Sequence, residues 1–170
     1  MESILAYDPE GDPAMTVTIR PAGPDDLPPL AALIEEIERF YGATEIQPLA
    51  ERRAQIEESL FAPIPLAQVL VADPGDGTLA GMAAYSFLWP ARGTTHALFL
   101  KELYVSEPWR GGGVGARLMA ELRTVASARP GCSRMEWMGD TDNAPALGFY
   151  GALGFEVVEG KAVYRVGVEG

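Results

Sequence analysis

The segment best suited to chemistry is a glycine-rich run, Arg110-Gly111-Gly112-Gly113-Val114-Gly115, which lies between a predicted strand and a predicted amphipathic helix. Glycines let the backbone turn tightly and approach a ligand closely, because no Cβ intervenes. The free N–H groups of such a loop, together with the positive end of the helix dipole, form a site for phosphate groups. Arg110 would add a charged donor at the same place. The segment therefore predicts a phosphate-binding loop.

Other interpretations of this loop are less favourable. No Gly-Lys-Ser/Thr follows the glycines, which argues against the phosphate loop of nucleotide triphosphatases. A dinucleotide-binding fold would place the loop after the first strand, whereas here it follows three strands that look antiparallel. A purely structural turn would use four glycines in five positions at a helix entrance, which costs conformational entropy without a gain. A bound ligand is the better explanation.

A second segment, residues 143–155, combines a helix start with a phenol. Asn143 is a natural N-cap residue, and Pro145 fits the first helical turn. Tyr150 follows Asn143 by seven residues, so both residues lie on the same helix face. Taken alone, Tyr150 is more typical of a packing residue than of a catalytic group.

The elements around these segments alternate irregularly between strands and helices. Apolar periodicity and turn residues predict the order strand, two helices, three strands, helix, strand, helix and two strands. Three consecutive strands in the middle are not typical of a doubly wound sheet, so the order predicts a mixed α/β fold. The predicted strands are 15–20, 67–72, 79–89, 95–105, 133–138, 155–158 and 162–168, and the predicted helices begin near residues 24, 49, 114 and 143.

Length and composition predict one domain over residues 15–170, preceded by a disordered extension over residues 1–14. Either Met1 or Met15 could be the natural start. The first residues do not resemble a signal peptide, and no apolar run is long enough to span a membrane. A single cysteine, Cys132, cannot form an internal disulfide, which is compatible with a cytoplasmic location. The net charge of −11 argues against a nucleic-acid partner.

Together, the two segments resemble the acetyl-CoA-binding core of the GNAT superfamily of N-acetyltransferases. The family pattern of Arg or Gln, two residues, Gly, one residue, and Gly or Ala is matched by Arg110, Gly113 and Gly115. The downstream family pattern is matched by Asn143, Phe149, Tyr150, Gly154 and Phe155. Within the superfamily, residues 100–105 and 33–37 resemble strings of the polyamine (spermidine/spermine) acetyltransferase branch.

The resemblance implies a GNAT-type sheet that is mostly antiparallel, with splayed parallel strands and about four flanking helices. It implies acetyl-CoA as co-substrate, no metal, and a homodimer. The strand before the loop would bind the pantetheine arm through its backbone, the loop would hold the pyrophosphate, and the start of the last helix would flank the cofactor. The implied cofactor-binding residues are Leu103, Tyr104, Val105, Arg110, Gly111, Gly112, Gly113, Val114, Gly115, Ala116, Asn143, Ala144, Pro145, Ala146 and Tyr150.

The implied reaction is direct acetyl transfer to a primary amine of a small molecule. An alkylammonium ion has a pKa of about 10, so a base or a water chain must remove a proton. Glu102 is our candidate for this role, although a surface or ion-paired carboxylate is its ordinary alternative. Tyr150 matches the family's general acid for the leaving thiolate and can also act as a hydrogen-bond donor. Cys132 and His96 have no predicted catalytic role.

The acceptor side departs from the polyamine branch. Carboxylates of that branch are replaced here by Tyr41 and Lys101, which predicts a smaller amine, with a carboxylate of its own paired to Lys101. A solvated Lys101 is an equally good interpretation. An acyl-CoA-binding sensor without turnover and a protein N-acetyltransferase remain alternatives, and the sequence leaves the acceptor and the base open. The predicted substrate-binding residues are Phe40, Tyr41, Lys101, Glu102 and Trp137.

Overall fold

The computed structural model describes residues 17–168, which fall into two compact units, the first ending at Met138 and the second beginning at Gly139. The second unit contains a single helix, α4 (Ala144–Ala152), within its described part. The first unit contains β1 (Thr18–Pro21), a 3-10 turn (Pro24–Asp26), α1 (Leu27–Phe40), α2 (Leu49–Phe61), β2 (Gln68–Asp73), β3 (Gly81–Leu88), β4 (His96–Val105), a second 3-10 turn (Glu107–Trp109), α3 (Val114–Ala128) and β5 (Cys132–Trp137).

The five strands form one sheet in the order β1-β2-β3-β4-β5. The first three pairings are antiparallel, and the last, between β4 and β5, is parallel because α3 carries the chain across between them. The parallel ladder ends at the pair Leu100 and Trp137, while β4 continues to Val105. This arrangement confirms the predicted mixed α/β fold, with a mostly antiparallel sheet and four helices.

Both faces of the sheet are covered within the first unit. On one face, α1 and α2 pack against a cluster formed by Leu30, Leu33, Ile37, Val69, Val71, Leu79, Met82 and Tyr104. Successive strand residues point to opposite faces, so Leu70 belongs to the other face, and it is also fully buried. There α3 contacts all five strands and contributes the fully buried Leu118 and Leu122. Each such leucine contributes about 1.5–3 kcal/mol by its burial.

A β-bulge at Lys101 interrupts the regular alternation of β4. Tyr85 pairs with Leu100 and Ala84 pairs with Glu102, so Lys101 is left without a partner in the ladder. In a regular strand Leu100 and Glu102 would lie on the same face. The extra residue places them on opposite faces, because each shares the face of its β3 partner. Glu102 therefore lies on the face that α1 and α2 cover.

The described residues test the sequence predictions for the C-terminal end of the chain but not those for its first residues. The predicted extension 1–14 and the start of the predicted strand 15–20 lie outside the described residues, and β1 begins at Thr18. The two strands predicted over 155–158 and 162–168 are wrong, since residues 155–168 contain neither strand nor helix. Alternating apolar residues form a strand only when a partner strand pairs with their backbone groups. Val157 and Val166 are instead exposed.

Candidate active site

The predicted phosphate loop forms the link between β4 and α3. Its glycines Gly111 and Gly113 have φ values of 77° and 84°, in the left-handed region that glycine tolerates best. A Cβ at either position would meet no atom within 4 Å, so the backbone borders open space. Gly113 is the N-cap of α3 and has no side chain with which to cap the first-turn N–H groups. This loop therefore fits a diphosphate, which such N–H groups bind.

The Arg110 side chain is directed to β4 and α1. Its Nε donates to the carbonyl of Val105 at 2.8 Å, and one terminal nitrogen donates to the Tyr104 hydroxyl at 3.2 Å. The guanidinium carbon lies 5.0 Å from the ring centroid of Phe40 and 5.4 Å from that of Tyr104, within the range of cation–π contacts. The predicted role of Arg110 as a phosphate donor stays a prediction.

Glu36 of α1 joins this group and was not among the predicted site residues. Its carboxylate accepts hydrogen bonds from the Tyr104 hydroxyl at 3.1 Å and from Ser106 Oγ at 2.6 and 2.7 Å. Burial raises the pKa of Tyr104, and the hydrogen bond to Glu36 raises it further. A signal was present, because Glu36 lies three residues after Leu33 and four before Phe40, on the apolar face of α1.

The carboxylate of Glu102 lies at the end of α1. Its Oε1 accepts a hydrogen bond from the Tyr41 hydroxyl at 3.2 Å. Burial raises the pKa of Glu102, while the Tyr41 hydrogen bond and the charge of Lys101 act in the opposite direction. A carboxyl group with a raised pKa is a stronger base than an ordinary one, and such groups cluster at functional sites. Of the predicted substrate-binding residues, Tyr41 contacts Glu102, and Phe40 contacts Tyr41.

The other predicted site residues of the first unit lie along β4 and β5. Leu103 and Val105 pair with β3 on one side, and they lie beyond the last residue pair of the parallel ladder on the other. Their position matches the predicted pantetheine-binding edge, whose role stays a prediction. Lys101 is exposed on the bulge, and Trp137 is half-buried at the end of β5, opposite Leu100.

The second unit confirms the local structure predicted around Tyr150. The Asn143 side chain accepts a hydrogen bond from the backbone N–H of Ala146 at 3.1 Å, so Asn143 is the N-cap of α4. Pro145 lies in the first turn of the helix. Tyr150 is half-buried, and its ring centroid lies 5.1 Å from that of Phe149. Its catalytic role stays a prediction.

Residues 17–168 contain neither a cluster of metal-ligating side chains nor a helix suited to spanning a membrane. That part of the chain contains no group of three or more His, Cys, Asp or Glu side chains arranged to hold a metal ion. None of its helices is long and apolar enough to cross a membrane.

Sequence comparison gives relatives with named activities. The human spermidine/spermine N(1)-acetyltransferase-like protein 1 is 28% identical over 156 residues, which cover 86% of this chain and 22% of that protein. The thialysine N-epsilon-acetyltransferase of Sus scrofa is 26% identical over 144 residues, which cover 82% of this chain and 84% of the relative. The chain therefore spans about a fifth of the human relative and most of the porcine one.

Solved structures and a family model agree with these relatives. An integron cassette protein from the mobile metagenome of V. cholerae has a TM-score of 0.81 at 26% identity, covering 91% of this chain and 94% of that one. An aminoglycoside N-acetyltransferase solved with CoA has a TM-score of 0.71 at 24% identity, covering 94% and 99%, and shows the same fold. The model of the acetyltransferase (GNAT) family matches residues 30–155, so this chain belongs to the GNAT acetyltransferase family.

Proposed function

We propose that this protein transfers the acetyl group of acetyl-CoA directly to a primary amine of a small molecule. One observation carries the proposal: the stretch of β4 beyond the parallel ladder begins beside a half-buried carboxylate, Glu102, and leads into the glycine loop. The base and the phosphate site are thus separated by one short strand segment. Acetyl-CoA supplies an activated acetyl thioester in this family.

In this proposal, CoA is bound mainly by backbone groups. The edge of Leu103–Val105 binds the pantetheine arm, and the first-turn N–H groups of α3 bind the pyrophosphate. The support is the left-handed φ of Gly111 and Gly113 and the open space above them. Residues 143–146 at the start of α4 flank the cofactor, as the family resemblance implies.

Proton transfer is assigned to two side chains. Glu102 accepts a proton from the substrate ammonium group, directly or through water, so that the amine nitrogen can attack. A carboxylate is an intrinsically weaker base than an alkylamine, whose conjugate acid has a pKa of about 10, so Glu102 passes the proton on to water rather than holding it. The Tyr150 phenol donates to the leaving sulfur. No covalent intermediate on Cys132 is required.

The proposed acceptor is a small amine of the diamine, polyamine or amino-acid type. Tyr41 contacts Glu102, and the exposed rings of Phe40 and Tyr41 contact each other. This combination suits an ammonium group, which aromatic faces and carboxylates both attract. Lys101 is the exposed bulge residue next to Glu102, and its ammonium group suits a carboxylate on the same substrate. The names of the relatives, which refer to spermidine/spermine and thialysine, fall in the same chemical range.

The test is CoA release from acetyl-CoA, followed over a panel of diamines, polyamines, amino acids, aminoglycosides and a basic peptide. We expect turnover with small amines, and a sharp decrease in Tyr150→Phe. Tyr164→Phe is the matched control, because Tyr164 is 95% exposed. Lys101→Glu should raise activity on diamines and lower it on amino acids. Binding of acetyl-CoA without turnover would favour a sensor, and turnover of the peptide alone would favour a protein N-acetyltransferase.

A further inference from the structure

The last two turns of α1 contact β4, Ser106 and the glycine loop at two points. One turn before the helix end, Glu36 accepts hydrogen bonds from Tyr104 and Ser106. At the helix end, the Phe40 ring lies edge-on to the Tyr104 ring at 5.6 Å and within 5.0 Å of the Arg110 guanidinium carbon. The position of the helix end thus depends on side chains of the loop and of β4.

The same contacts continue to the candidate base. Phe40 is followed by Tyr41, and the two ring centroids lie 5.3 Å apart at an interplanar angle of 76°. The Tyr41 hydroxyl donates to Glu102 Oε1 at 3.2 Å. A continuous series of contacts therefore joins the first residue of the glycine loop to the carboxylate, through Phe40 and Tyr41.

Arg110 uses two of its five N–H donors within this series. Its Nε and one terminal nitrogen are hydrogen-bonded to Val105 and Tyr104, and its flat face lies near two aromatic rings. A lysine could not reproduce this arrangement, because it has no planar group with several fixed donors. In contrast, the loop offers phosphate the backbone N–H groups that follow Gly113.

We propose that Arg110 is a positioning residue for the amine-binding side of the site, and that through Phe40 it holds Tyr41 against Glu102. The backbone N–H groups of the loop bind the CoA phosphates. The inference rests on the proposed function in taking Glu102 as the base. On this proposal, Arg110 supports the residues that bind the amine and does not bind the CoA phosphates. One side chain thus connects the glycine loop with the amine-binding residues.

The consequence can be measured on Glu102 itself. The groups that act on this carboxyl are the Tyr41 hydroxyl, from the end of α1, and the Lys101 ammonium, from the neighbouring position in β4. The Tyr41 hydrogen bond favours the ionised form. Releasing Tyr41 should therefore raise the pKa of Glu102 further, because the ionised carboxylate loses a donor.

The experiment compares Arg110→Met with Arg123→Met, a control that removes the same charge from an exposed position of α3. The Glu102 pKa is followed by NMR of carboxyl-labelled protein, and the Kd of CoA by calorimetry, so neither readout requires turnover. We expect an upward shift of the Glu102 pKa in Arg110→Met and a CoA Kd within about threefold of the control, a margin of under 1 kcal/mol. On an active amine, the acidic limb of kcat/KM should move to higher pH by the same amount.

A second variant, Phe40→Leu, leaves the arginine and the loop in place and should shift the Glu102 pKa in the same direction. If thermal melting shows that Arg110→Met does not fold, the Glu102 pKa of Phe40→Leu tests the proposal instead. An unchanged Glu102 pKa in either folded variant would overturn the proposal, as would a larger loss of CoA affinity in Arg110→Met. Absence of turnover in the wild type would contradict the proposed function alone, because both binding and titration would still report on Arg110.

Discussion

Replacing Gly113 by alanine tests whether the loop backbone holds phosphate. At φ 84° a Cβ is strained against its own backbone, which costs about 1–2 kcal/mol. Nothing within 4 Å adds a clash, so this strain is the whole expected loss of stability. For a chain of this length it corresponds to a decrease of about 2–8 °C in Tm. Gly77 has φ 86° and equally open surroundings, so Gly77→Ala should lose the same stability.

The two variants should differ in CoA binding. At Gly113 the new methyl group either occupies the space that a phosphate would approach or turns the first N–H groups of α3 away. Losing one hydrogen bond to a charged group costs about 1.5–3 kcal/mol, which raises the Kd of CoA by about 10- to 150-fold. Calorimetry with CoA measures this change. A Kd for Gly113→Ala that matched Gly77→Ala would refute the assignment of the loop to the phosphates.

Three further predictions concern the base, the strand pairing and an ion pair. Glu102→Gln should lower kcat/KM by about 10²–10⁴-fold and abolish its acidic limb, as pH–rate profiles would show. Gly81→Ala should cost about 1–3 kcal/mol in denaturant unfolding, because a Cβ would lie 2.5 Å from the Tyr104 carbonyl oxygen. Asp26→Asn should cost about 1.5–3 kcal/mol at pH 7, because Arg20 donates two hydrogen bonds to this carboxylate. Arg20 also lowers the pKa of Asp26 from 3.8, so the difference from wild type should shrink as unfolding is measured at pH values falling below about 4.

The regular elements of the first unit were predictable because each carries a strong periodic signal. The predicted helix that begins near residue 49 is α2, and the strand predicted over 95–105 is β4, which begins one residue later. The glycine loop was predictable for a different reason, since few structures other than a ligand site need so many glycines at a helix start.

Three features could not be predicted from local patterns. The bulge at Lys101 depends on the register with β3, and no residue type marks it. The orientation of the Arg110 guanidinium depends on Phe40, seventy residues away in the chain. The strands predicted after Gly154 show the converse, because their alternating pattern is present and the ladder is absent from residues 155–168. Local sequence describes what a segment can form, and pairing decides what it does form.

The bulge at Lys101 keeps the second half of β4 in its present register with β3. If the bulge were straightened with Lys101 retained, Lys101 would pair with Ala84, and every side chain from Glu102 to Val105 would exchange its face of the sheet. Tyr104 would leave the cluster beneath α1, and Leu103 would enter it. Deleting Lys101 would instead leave every pair in place, because Glu102 would then follow Leu100 in regular alternation. Among related sequences, we therefore expect diversity at this exposed position, and a gap there would leave the faces of Glu102 to Val105 unchanged.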